Sequence, residues 1–170
     1  MRNQKGFTLI ELIIVIVVLG ILAVTAAPQF INFSTDARTS TVKGLKGALQ
    51  GAAQTVYARA AIDDDLDGTS AAPVTVNGVA TVNGYPAATQ AGIATAANLD
   101  ATNVDPAATV TTDWAFFADS GTISIAPGDQ VPAPTAAEVE DLTDTNCYAT
   151  YSDAADSNTP PAITIVTTGC

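Results

Sequence analysis

Apolar side chains run almost without a break from Phe7 to Ala27, and Glu11 is the one ionisable residue among them. A run of about 20 such residues is long enough to cross a hydrocarbon core. Farther on the pattern changes: Val42, Leu45, Leu49, Ala52, Val56 and Ala60 recur at spacings of three and four, which marks one apolar stripe on an amphipathic helix. The two patterns together predict a single helix from Phe7 to about Ala61, about 80 Å long at the α-helical rise per residue, with half its length projecting as a stalk.

After Ala61 the period shortens to two and turn residues recur at short intervals. The stretch VTVNGVATVNG (residues 74–84) reads as two strands joined at Asn77 and Gly78, the dipeptide suited to a type I′ turn. In WAFFADSGTISIAPG (114–128) a second hairpin turns between Asp119 and Gly121, with Trp114, Phe116 and Phe117 supplying core. CYATYS (147–152) and AITIVTT (162–168) are the last two strand candidates, and ATQAGIATAANL (88–99) suits a short helix. The segment 126–146, rich in Pro, Ala and acids, reads as a surface loop. The expected fold is α+β, an antiparallel sheet laid on the amphipathic half of a long helix.

Charge sharpens this picture. The net charge is −11, and the last cation is Arg59, so everything from Ala60 to Cys170 carries only Asp and Glu. Such a surface repels phosphate backbones, which removes nucleic acid as a default partner. Arg38, Lys43, Lys46 and Arg59 lie along the predicted helix. They are the cations available to meet the acidic part of the same or a neighbouring subunit; the alternative is a solvated helix face. The two cysteines, Cys147 and Cys170, favour one disulfide over two free thiols. A loop of that length closed by a disulfide stabilises a fold by about 3 kcal/mol in the chain-entropy model, and the bond implies an oxidising compartment.

The first six residues, MRNQKG, are polar and basic and end in Gly6, directly before Phe7. A secretory signal is cleaved after its apolar core. A cut after Gly6 would instead leave the apolar run on the mature chain. Arg2 and Lys5 on the cytoplasmic side point the acidic part outward. Gly6 followed by FTLIELIIVIVVLGILAV, with Glu11 fifth after the junction, Gly20 and Pro28, resembles the type IV pilin and pseudopilin family. The short leader is similar to the type IVa subclass. The stretch from Val24 to Ile62, with Gly84-Tyr85-Pro86, resembles pilins of the mannose-sensitive haemagglutinin class.

This resemblance implies the type IV pilin fold and removal of residues 1–6 by a prepilin peptidase. It also implies N-methylation of Phe7, and a precursor held in the inner membrane until an assembly machinery polymerises it. The product would be a homo-oligomeric surface filament used for attachment or motility. Residues 7–30 would then be the helix of membrane and filament core, and 31–170 the globular part.

Glu11 poses a physical question. In the first turn of a helix it is favoured by the helix dipole and lies near the lipid interface, so its cost is below the roughly 3 kcal/mol of a mid-membrane charge. A benefit arises if it meets the positive amino terminus of a neighbouring Phe7, since opposite charges in an apolar bundle relieve one another's desolvation. The alternative is pairing with its own amino terminus.

Two residues weaken the long helix: Gly20 by about 1 kcal/mol and Pro28 by about 3, because the proline leaves the carbonyl of Val24 without its donor. In filaments of similar pilins the stretch between such residues loses regular helix. A simple kink at Pro28 is the alternative.

Other chemistry finds little footing. Histidine is absent, and no nucleophile elbow, phosphate loop or zinc spacing occurs, so no enzymatic role is expected. In DDDLDG (63–68), Asp63, Asp65 and Asp67 match the first, third and fifth ligands of a calcium loop, but Val74 stands where the closing Glu belongs. Calcium at this loop is weighed against a solvated acidic turn, with no other cofactor. Asn32-Phe33-Ser34 fits a glycosylation sequon by chance on a helix. Phe7, Phe30, Phe33 and Tyr57 read as packing residues. Beside a pilus subunit, two alternatives stand: a pseudopilin of a type II secretion system, and a membrane-anchored binding module that does not polymerise.

Overall fold

A computed structural model of the chain describes residues 6–105, 108–131 and 142–170; for 26–32 it describes the backbone alone. The chain divides into two units, one ending at Ala37 and the other spanning Arg38–Cys170. Helix α1 (Leu9–Asp63) supplies the first unit and opens the second. It begins two residues later than the hydrophobic pattern suggests and ends two residues beyond Ala61.

In the first unit the large apolar residues from Leu9 to Val24 are 46–76% exposed. They occupy consecutive positions, so every side of the helix is apolar and none is covered. Among the described residues, no helix is long and apolar enough to cross a membrane. Within the run from Phe7 to Ala27 that suggested a span, the last described apolar side chain is Val24.

The second unit is built differently. Five antiparallel or parallel neighbours form one sheet in the order β4 (Ala101–Asn103), β5 (Trp114–Asp119), β6 (Thr122–Pro127), β7 (Tyr148–Ser152), β8 (Ile163–Val166). A three-stranded sheet takes the order β1 (Val74–Val76), β2 (Val79–Val82), β3 (Tyr85–Pro86). Val42, Leu45, Leu49 and Ala53 of α1 pack on Phe116, Ile123, Ile125, Ala149 and Tyr151 in one core. Each large aliphatic side chain fully buried there contributes about 2 kcal/mol. Ala53, not Ala52, is the fully buried residue of its turn.

Both anticipated hairpins form with the expected turns. Asn77 and Gly78 have φ of 52° and 86°, and Ser120 and Gly121 have 47° and 75°. Both central residues of a type I′ turn require this left-handed backbone. A third such pair, Asn83 and Gly84 at 53° and 79°, folds β3 back on β2, a hairpin the sequence reading did not assign. A second departure is β4, which pairs parallel with β5, so the larger sheet is antiparallel except at one edge. The expected short helix is a π-helical turn, Gln90–Ala94, capped by the Thr89 hydroxyl. The loop after Ala126 is tied down at both ends: Val131 and Leu142 are buried with Val104, Ala115 and Ala126 in a second cluster, while residues 132–141 lie outside the described set.

Cys147 and Cys170 are bonded and buried, Cys147 just before β7 and Cys170 just after β8. As expected, the disulfide closes the last hairpin.

Candidate functional site

At the start of α1 the residues Thr8 and Glu11 hold each other. The Thr8 amide and hydroxyl donate to Glu11 Oε2 at 2.8 and 2.7 Å, and the Glu11 amide donates to the Thr8 hydroxyl oxygen at 3.3 Å. This is a capping box, in which the residue before the helix and the third residue inside it satisfy each other's free amides. The sequence signal was Thr-Leu-Ile-Glu, and reading Glu11 only for its charge missed it. Both bonds converge on Oε2, so Oε1 has no hydrogen bond among the described residues. The carboxylate is therefore positioned, exposed and half engaged, in a stretch of α1 whose other side chains from Leu9 to Val24 are apolar.

Gly6 and Phe7 precede the helix outside any regular element and are exposed, Phe7 at 92%. Phe7 and Phe33 are both exposed, so neither packs on the described residues of its own chain; the side chains of Phe30 and of Asn32 in the sequon lie outside the described set. Tyr57 does pack, stacking on Tyr85 with ring centroids 4.3 Å apart and donating to the Ser157 carbonyl at 2.8 Å.

Gly20 sits within continuous α1, with open space where a Cβ would stand. The backbone at residue 28 is helical too, and the Pro28 ring lies outside the described side chains. Between them Thr25 bonds back to the carbonyls of Leu22 and Ile21 at 3.0 and 3.3 Å, a local bond that competes with regular helix.

In the second unit two of the four helix cations are engaged within the chain. Arg38 donates to Asp129 Oδ2 at 2.9 Å and Arg59 to Asp63 Oδ2 at 2.6 Å. Lys43 and Lys46 make no ion pair among the described residues. The Asp63–Arg59 pair takes the first ligand of the anticipated calcium loop; among the described residues no group of three or more carboxylates, thiols or imidazoles is gathered to hold a metal ion.

The body is locked by a few polar contacts. The Tyr151 hydroxyl donates to the Pro86 carbonyl at 2.6 Å, joining the two sheets, and burial pushes its pKa well above the usual phenol range. Asp153 accepts from the Ala88 amide at 2.6 Å and from the Ser70 hydroxyl. Asp156 accepts from the Asn158 amide at 2.8 Å and the Thr159 hydroxyl at 3.0 Å, and these bonds hold its carboxyl below the usual range.

Comparison with known proteins bears on the first part of the chain. Residues 1–27 match the family model described as the prokaryotic N-terminal methylation motif. The chain is similar to the type IV major fimbrial protein FimA of Dichelobacter nodosus, 46% identical over 52 residues, which is 31% of this chain and 33% of that protein. It is similar to the fimbrial protein EcpC of Eikenella corrodens, 37% identical over 75 residues, 44% of this chain and 49% of that protein. It also resembles the type II secretion system core protein G of Pseudomonas aeruginosa, 46% identical over 43 residues, 25% of this chain and 30% of that protein. The chain thus spans about a third of the length of the first of these relatives. No solved structure matches it.

Proposed function

We propose that this chain is a structural subunit of a type IV pilus. The observation that carries the reading is a helix apolar on every side and uncovered from Leu9 to Val24, opening on one positioned carboxylate with an oxygen to spare. A helix of that kind is stable only in lipid or among other apolar surfaces. The match of residues 1–27 to the methylation motif, and the names of the fimbrial relatives, support the same reading.

In this account a prepilin peptidase cuts between Gly6 and Phe7, and the new amino group of Phe7 is methylated. The apolar helix waits in the inner membrane until the assembly machinery transfers it into a fibre. There Glu11 Oε1 receives the amino terminus of a neighbouring Phe7. Within the fibre each charge removes the other's desolvation penalty, so the pair sets register where apolar packing alone would let helices slide. The same account has Gly20, Thr25 and Pro28 loosening the helix between 20 and 28 in the fibre. A type II secretion pseudopilin is the second reading, favoured by the similarity to core protein G.

Electron microscopy of material sheared from cells tests the choice. Long fibres containing this chain are expected; fibres confined to the periplasm would support the pseudopilin. Glu11→Val should leave the subunit in the membrane and abolish fibres, and normal fibres from that variant would overturn the register role.

A further inference from the structure

We propose that the outer face of α1 in the second unit is a lateral contact for a second copy of the chain, in which Lys43 and Lys46 of one copy meet Asp64, Asp65 and Asp67 of the other. The contact rests on the filament reading and adds to it an interface outside the apolar helix.

The charges carry the argument. Arg38 and Arg59 already have carboxylate partners in the chain, whereas Lys43 and Lys46, one exposed and one half-buried, have none among the described residues. Asp64, Asp65 and Asp67 likewise accept no side-chain bond or ion pair among the described residues, and no cation follows Arg59. These acids crowd the C-terminal end of α1, where the helix dipole is already negative and the last turn holds no basic residue. An incoming cation there relieves both the dipole and the mutual repulsion of three carboxylates.

Position says why the partner must be another copy. Lys43 stands twenty residues before Asp63, the last residue of α1, about 30 Å along the axis, and the three acids follow directly after it. One chain cannot bring its own lysines to its own acidic turn. A parallel copy displaced by about that rise brings its acidic turn level with these lysines, and a contact between unlike surfaces repeats without closing, which is the geometry of a filament. Gly44 lies between the two lysines, and Gly47 and Gly51 between them and the acids, each with open space where a Cβ would stand. No described residue stands where their side chains would be, and they leave no side chain to hold a neighbour off.

The test uses the full chain in fibre-forming cells. Lys43→Glu with Lys46→Glu, and separately Asp64→Lys with Asp65→Lys and Asp67→Lys, should each lower sheared fibre yield at least about tenfold, because like charges then face one another. Subunit abundance and melting in detergent should stay unchanged. Combining both sets should restore fibres. As a second measurement, a zero-length carbodiimide cross-linker on wild-type fibres should join Lys43 or Lys46 to the 64–67 turn between chains. Either reversal leaving yield unchanged, or cross-links from these lysines only to other acids, would overturn the contact. Glu11→Val separates the two claims: fibres lost there but intact in the charge reversals refute the lateral contact alone, and the converse refutes the register pair alone. A wild-type chain that makes no fibres refutes both.

Discussion

Leu19 and Leu49 are the same residue in the same helix, yet one is 58% exposed and the other fully buried. The difference separates two ways of using apolar surface. In Arg38–Cys170 the stripe on α1 is matched by side chains from β5, β6 and β7, so burial is completed within the chain. In the unit ending at Ala37 the apolar residues from Leu9 to Val24 stand on every side and find no cover among the described residues. The first arrangement stabilises a fold; the second stores a driving force that only another molecule can release.

Identical substitutions should therefore have opposite readouts. Leu49→Ala should lower unfolding free energy by roughly 4 kcal/mol in detergent, from lost transfer and a cavity beside Phe116 and Tyr151, while Leu19→Ala should leave melting unchanged and act on fibre yield instead. A melting loss in Leu19→Ala would dissolve the contrast. Cys147→Ser, which opens the 23-residue separation closed by the disulfide, should cost about 3 kcal/mol by urea denaturation and leave membrane insertion intact. Tyr151→Phe leaves the buried Pro86 carbonyl without its donor and should cost about 1.5 kcal/mol. Gly47→Ala should raise the stability of the isolated subunit by up to about 1 kcal/mol, since nothing occupies the space its Cβ would take. If the same variant lowers fibre yield, the second unit too keeps surface in reserve for a neighbour.

The smallest effect concerns pH. The Asp156 carboxyl titrates below its usual range because the Asn158 amide and Thr159 hydroxyl donate to its charged form. Its contribution is present above the unfolded-state pKa and lost as pH falls through the lower folded-state value. Wild type should thus lose slightly more melting temperature between about pH 5 and pH 2 than Asp156→Asn.

Long-range order was legible where a period repeated often enough to be read. The helix, its buried stripe, two hairpins and the last strand pair all carry several turns or alternations of signal. The stripe slipped by one residue at Ala52 and Ala53 because successive spacings of three and four drift around a helix of 3.6 residues per turn. The β2–β3 hairpin had the same Asn-Gly signal as its neighbour, but β3 is two residues long and too short to alternate. β4 is three residues long and pairs parallel, a partnership no local pattern encodes. At the candidate site, charge and position identified Glu11, while its partner Thr8 required reading the cap and not the charge. Which cations were already engaged was beyond sequence, since Arg38 finds Asp129 only after the chain has folded across 91 residues.

The arrangement of cations has a practical corollary. A protease that cuts after lysine or arginine meets its final site at Arg59, where the side chain is clamped to Asp63 one helical turn away. From Ala60 onward such an enzyme finds no peptide bond it recognises. Digestion by trypsin would release both sheets and their disulfide as a single large fragment, so peptide mapping of this part calls for an enzyme that cuts at acids or aromatics.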